Sequence, residues 1–175
     1  MWKALVNCYI EIKLIAMKLY KRGEDEILFW ETWDIDSDTG AVNRGIVGQV
    51  GEYREVQSSI LESFREKIQK EVDGVFENGY EEVEIEDHYT LLIEFLVDGM
   101  GTPEDVEKRT RLQDRMNDFL GWNGLGHCDG GSIGSGTMEV CCFVIDFDIA
   151  ARLIEENLIG TEFANYTRIY DENEI

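Results

Sequence analysis

Positive charge is scarce in this sequence. Sixteen Lys and Arg stand against 37 Asp and Glu, a formal net charge of −21. The imbalance is uneven: residues 1–22 hold five basic residues and one acid, whereas from Gly23 onward 11 basic residues meet 36 acidic ones, a net −25. Such a field repels nucleic-acid phosphates and anionic lipid head groups, so it argues against both as partners and favours a basic protein. The same charge also serves plain solubility.

Metal and phosphate signatures are missing as well. There is no CxxC pair and no HxxxH spacing, and a site would have to combine His127, Cys128 and one of Cys141 and Cys142. No metal or other cofactor is expected. A disulfide framework is not expected either, because the adjacent Cys141 and Cys142 of a strand point to opposite faces. Reduced thiols suit a cytoplasmic protein. No long apolar run is present: "MWKALVNCYIEIKLIA" is broken by Glu11 and Lys13, too short a stretch for a membrane span and too weakly basic for a signal peptide. Within it "YIEIKL" alternates like a strand, and Met17 is an alternative start that would make residues 1–16 an extension.

What is present is periodicity. "MKLYKRGEDEILFWETWDID", the turn signal "DSDTG" and "AVNRGIVGQVGEYREV" predict a strand meander over residues 17–56. From Ser58 to Phe76, Ile60, Leu61, Phe64, Ile68, Val72 and Val75 recur at helical spacing, and Gly79 follows as the C-terminal cap. "YTLLIEFLVDG" reads as a strand covered on both faces, Glu94 excepted. Thr102, Pro103 and Asp105 mark a helix start, with Val106, Leu112, Met116, Phe119 and Leu120 as its inward stripe. Then follow "MEVCCFVIDF" as a strand, "DIAARLIEENL" as a helix and "FANYTRIY" as a final strand. The fold class is therefore α+β: antiparallel strands with a helix in residues 1–87, and a ferredoxin-like, split βαβ order in residues 88–175.

The segment "GHCDGGSIGSGTM", residues 126–138, poses the functional question. As a phosphate cradle its glycines would have to open a helix, but they precede a strand, and no GK[ST] follows. Glycines that permit a positive φ or a close backbone approach explain it structurally. His127 and Asp129 could orient one another with Cys128 as nucleophile, yet nothing basic lies nearby in sequence to activate the thiol. Ser132 and Ser135 are further polar groups of the segment. His88 is expected at a strand edge. Glu82, Glu84, Glu86 and Asp87, with Glu81, form either a docking face for a cationic partner or a solvated strand edge. Asp34, Asp36 and Asp38 alternate like calcium ligands without the glycine and glutamate that an EF-hand requires.

"RGIVGQVG", the helix after it and "GY" resemble the WGR domain, a sheet-and-helix module of poly(ADP-ribose) polymerases that also stands alone in bacteria. The match covers about residues 17–86, with Arg44, Gly45 and Ile46 where the family has Trp-Gly-Arg. The resemblance implies a fold, and a family habit of contacting nucleic-acid ends that this acidic chain is poorly suited to share. "FLGWNGLGHCDGGSIGSGTMEVCCFVID" is similar to a segment of uncharacterised bacterial proteins that pair it with a WGR-like part, which implies a bacterial origin and no activity. The expected function is a non-enzymatic acidic module that binds a basic protein, in the manner of an immunity-type inhibitor of a bacterial toxin. The alternatives are a small-ligand binder or enzyme using the glycine segment with His127 and Asp129, and nucleic-acid-end binding through the WGR-like part.

Overall fold

The computed structural model describes residues 16–174, so the alternating segment at residues 9–14 lies outside it. The chain begins as an antiparallel meander, β1 (Ala16–Arg22), β2 (Ile27–Asp34), β3 (Thr39–Ile46) and β4 (Glu52–Gln57), in that spatial order. Strand alternation sorts its residues onto two faces. Leu19, Trp30, Val42 and Val56 share one face and form a small core with Phe64, Ile68 and Val72 of α1 (Phe64–Glu77). The helix lies so close that a Cβ on Gly40 would come within 2.6 Å of Phe64 and 2.9 Å of Ile68. Only glycine fits there.

Helix α1 starts later than its apolar spacing predicts. Ser63 is the N-cap and forms a capping box with Glu66, while Ile60 and Leu61 are fully exposed. Ser59 bonds to Glu62 through its hydroxyl, and the Ser58 hydroxyl accepts the Phe64 amide at 3.1 Å. These local bonds hold residues 58–62 in turns and leave the helix to nucleate at Ser63. It ends as expected, at Asn78 with Gly79 following at φ +83°.

Beyond a connector with a short 3-10 turn (Ile85–Asp87) come β5 (Tyr89–Leu96), α2 (Pro103–Trp122), β6 (Gly126–Gly134), β7 (Thr137–Val144), α3 (Phe147–Leu158) and β8 (Arg168–Asp171). The second sheet runs β6-β7-β5-β8 with every neighbouring pair antiparallel. The element order is βαββαβ, and the class is α+β. Thr102 and Asp105 form the expected capping box of α2, but Val106 is exposed and the inward stripe is Leu112, Met116 and Leu120. The last strand is shorter than "FANYTRIY", because Phe163 is drawn into the core from a turn before it.

Glu94 is the polar exception of β5. It is 7% exposed and meets Arg168 of β8 through two hydrogen bonds, 3.1 and 2.9 Å. The planar guanidinium suits this fork, and it offsets the cost of placing Glu94 directly opposite Glu139 on β7.

The second face of the meander is covered in part by the second sheet and its helices. Tyr20, Phe29 and Val47 belong to the larger core with Leu91, Ile93, Leu120, Leu125, Ala150 and Ile154. Phe29 lies against Gly124, where a Cβ would be 2.2 Å from its ring, and backbone bonds run from Gly48 to Asn123 and from Gly51 to Trp122. Burial of those rings therefore ties residues 16–57 to the second sheet.

Candidate functional site

The glycine segment is a strand and a turn. Gly134 and Thr137 close a two-residue hairpin whose central residues, Ser135 and Gly136, take φ of 55° and 92°. Positive φ at both positions is the type I′ geometry that matches strand twist. A bulge interrupts β6: Cys128 faces Cys142 and Gly131 faces Val140, so three steps on β6 meet two on β7. Gly126 and Gly131 lie against the β7 backbone, each leaving about 2 Å between a would-be Cβ and a carbonyl oxygen, of Phe143 (2.0 Å) and Glu139 (2.1 Å). None of these glycines opens a helix.

Alternation separates the proposed nucleophile from its proposed base. His127 pairs with Phe143 and lies on the exposed side of β6, while the neighbouring Cys128 is buried in the core. The Cys128 thiol donates to the Cys141 carbonyl at 3.2 Å. Burial pushes the Cys141 thiol up to about 11, and the contact with Cys128 together with burial raises Cys142 as well. Raised thiols are poor nucleophiles. Asp129 is exposed at the bulge, and the Ser132 hydroxyl donates to Glu139 at 2.8 Å.

The structure does bring two of the singled-out segments together, in an unforeseen way. Glu81 exchanges two backbone bonds of 2.9 Å with Tyr20, so the acidic connector lies along β1, and Glu82, Glu84, Glu86 and Asp87 are exposed in a connector and 3-10 turn, not on a strand edge. Its underside and the start of β6 enclose a cavity of about 190 Å³ lined by Lys18, Tyr20, Val83, Ile85, His88, Gly126 and His127. Both histidines of the chain thus share one cavity. His88, expected at a strand edge, ends the 3-10 turn; its Nδ1 lies 3.0 Å from the Glu84 carbonyl, and its ring stands edge-on to Tyr20 at 6.3 Å. Burial lowers the His127 pKa, with Lys18 and His88 acting in the same direction and Asp129 against them. Lys18 Nζ bridges Glu31 at 2.7 Å and the Gly126 carbonyl at 3.4 Å, and Glu31 also accepts from Asn43.

A separate feature escaped the sequence reading. Trp33, Tyr53 and Trp122 form a mutually packed trio, with ring centroids 6.0, 6.2 and 5.5 Å apart. Tyr53 and Trp122 remain over 40% exposed, and Val50, in the turn bonded to Trp122, is 76% exposed. Carboxylates flank the patch. Glu55 accepts the Tyr53 hydroxyl proton at 3.2 Å, and Asp118 is exposed one turn before Trp122 on α2. The available sequence signal was the parity of β2 and β4, which places Trp33 and Tyr53 on one face.

Three basic side chains share one cleft. A cleft of about 680 Å³ between the other face of the meander and α1 is lined by Lys21, Arg44, Arg54, Trp30 and Tyr80, among others. Arg44 pairs with Glu52 at 3.4 Å, and Arg54 pairs with Glu71. Protein-family models, curated proteins and solved structures give no match to this chain. Among the described residues no three His, Cys, Asp or Glu side chains are placed to hold a metal ion, and no helix is long and apolar enough to cross a membrane. Asp34, of the calcium-like triplet, is engaged by Arg65 at 2.5 Å, and Asp36 accepts the Asp38 amide in a turn.

Proposed function

We propose that this chain is a non-enzymatic, cytoplasmic protein-binding module that docks a basic protein through the face bearing Trp33, Tyr53 and Trp122. The observation that carries this reading is the aromatic trio, with Tyr53 and Trp122 exposed, set among carboxylates in a chain of net charge −21. Aromatic side chains supply contact area at low entropic cost and attract Arg and Lys through their faces, while the acidic field steers association. An immunity-type inhibitor of a basic bacterial toxin is the finer form of this proposal. On architecture, the βαββαβ order supports a ferredoxin-like second half, and the meander with α1 supports a WGR-like first half.

The test is capture of basic proteins at low salt by the wild-type chain and by a Trp33→Ala/Tyr53→Ala variant, followed by titration of the purified partner. The expected result is a partner released steeply by salt, with the variant weakened by about 2 kcal/mol or more, the usual weight of a central aromatic anchor. Retention of no basic protein, or equal binding by the variant, would refute it. A second reading rests on the basic cleft: Lys21, Arg44 and Arg54 beside Trp30 and Tyr80 suit a phosphate-bearing ligand such as a nucleic-acid end. Binding of DNA ends that is lost on Arg44→Ala and Arg54→Ala substitution would favour it.

A further inference from the structure

The cavity between β1, the connector and β6 is independent of the docking face, and its lining is unlike the rest of the molecule. No carboxylate lines it, although the chain carries 37 acids. Its polar side chains are an ammonium, two imidazoles and the phenol of Tyr20, whose buried hydroxyl has no hydrogen-bond partner, and its apolar walls are Val83 and Ile85. Lys18 has three N–H donors, of which two are used by Glu31 and the Gly126 carbonyl. The Glu84 carbonyl can only accept, so His88 carries its proton on Nδ1 and gains a second donor, at Nε2, on protonation.

Every charged group around the cavity can be accounted for. Glu31 is already held by Lys18 and Asn43; Glu84 contributes its backbone carbonyl; Glu82, Glu86, Asp87 and Asp129 are exposed. What is left unpaired is donor capacity. The volume of about 190 Å³ corresponds to roughly six waters at ~30 Å³ each, well below a drug-sized pocket.

We propose that this cavity binds a small carboxylate of acetate or glycolate size, held by Lys18, His88 and His127, and takes up a proton with it. The His127 imidazole, partly desolvated and close to the Lys18 ammonium, resists protonation until an anion enters. Repulsion from Lys18 and His88 is among the causes that hold the His127 pKa down, and a bound carboxylate reverses it. By linkage, affinity therefore falls as pH rises above the pKa of the empty site, approaching about tenfold per pH unit for one coupled proton.

The test is an acetate titration of the full chain followed by the histidine ring signals in NMR at pH 6 and pH 8, with acetamide as the neutral isostere. The expected result is saturable movement of both histidine signals, tighter at pH 6, with no response to acetamide. His127→Gln, watched through His88, and His88→Gln, watched through His127, should each weaken acetate binding at least several-fold. His127 is exposed and His88 half-buried, and glutamine keeps a polar side chain at each, so both variants are expected to fold. The proposal is overturned by non-saturating shifts, by equal response to acetamide, by affinity independent of pH, or by unchanged affinity in both variants.

Discussion

Gly126 and Gly130 lie four residues apart in the same strand, and replacing each with alanine should have very different consequences. At Gly126 the backbone has φ +148°, and a Cβ would stand 2.0 Å from the Phe143 carbonyl oxygen and 3.0 Å from its carbon. That backbone belongs to β7, which is paired with β5 on its other side and cannot retreat without disturbing a second ladder. Backbone strain of about 1–3 kcal/mol adds to an overpacking cost of similar size, so Gly126→Ala should lose about 3–5 kcal/mol. At Gly130, in the bulge, φ is +92° but no atom lies within 4 Å of the added carbon. The cost there is conformational only, about 1–2 kcal/mol, less the entropy removed from the unfolded chain. Urea unfolding followed by tryptophan fluorescence measures both, as a shift of midpoint at constant slope. A Gly126→Ala loss within about 1 kcal/mol of the Gly130→Ala loss would refute the close-approach argument for this segment.

Two further predictions concern charge. Arg168→Met should destabilise more than the double variant Glu94→Leu/Arg168→Met, because the single change leaves a carboxylate that is 7% exposed without its partner; urea midpoints give the order, and the reverse order would refute it. Glu66→Gln tests the capping box of α1. Hydrogen bonds from the Ser63 backbone and hydroxyl hold the Glu66 pKa below its ordinary 4.5, so its charge stabilises the fold above that value and stops doing so as pH falls through the depressed folded value. The variant should be less stable than wild type at neutral pH and indistinguishable in acid, as measured by midpoints across pH.

Much of the architecture follows from short-range patterns. The meander, the capping of α2 and the βαββαβ order all rest on alternation, helical spacing and turn residues that act within a few positions of one another. Where local rules compete, the reading slipped: the apolar spacing at Ile60 and Leu61 continues that of α1, yet the hydroxyls of Ser58, Ser59 and Ser63 take over the backbone. The candidate sites were less legible. His127 and Asp129 are close in sequence, but the meeting of His127 with His88 requires the connector to fold along β1, and the aromatic trio requires three elements to converge. Such juxtapositions depend on long-range packing, which no spacing within one segment encodes.

Phe29 seated on Gly124 constrains how this chain could have been assembled or could be dismantled. A meander whose first face is filled by α1 and whose second is filled by the larger core cannot be transplanted as a self-contained cassette. Cut away at the connector, it would present Tyr20, Phe29 and Val47 to water, and the second half would show the matching hollow. Recombination between relatives would then preserve folding only where both halves are inherited together, or where a replacement brings an aromatic ring of the same reach to the same glycine.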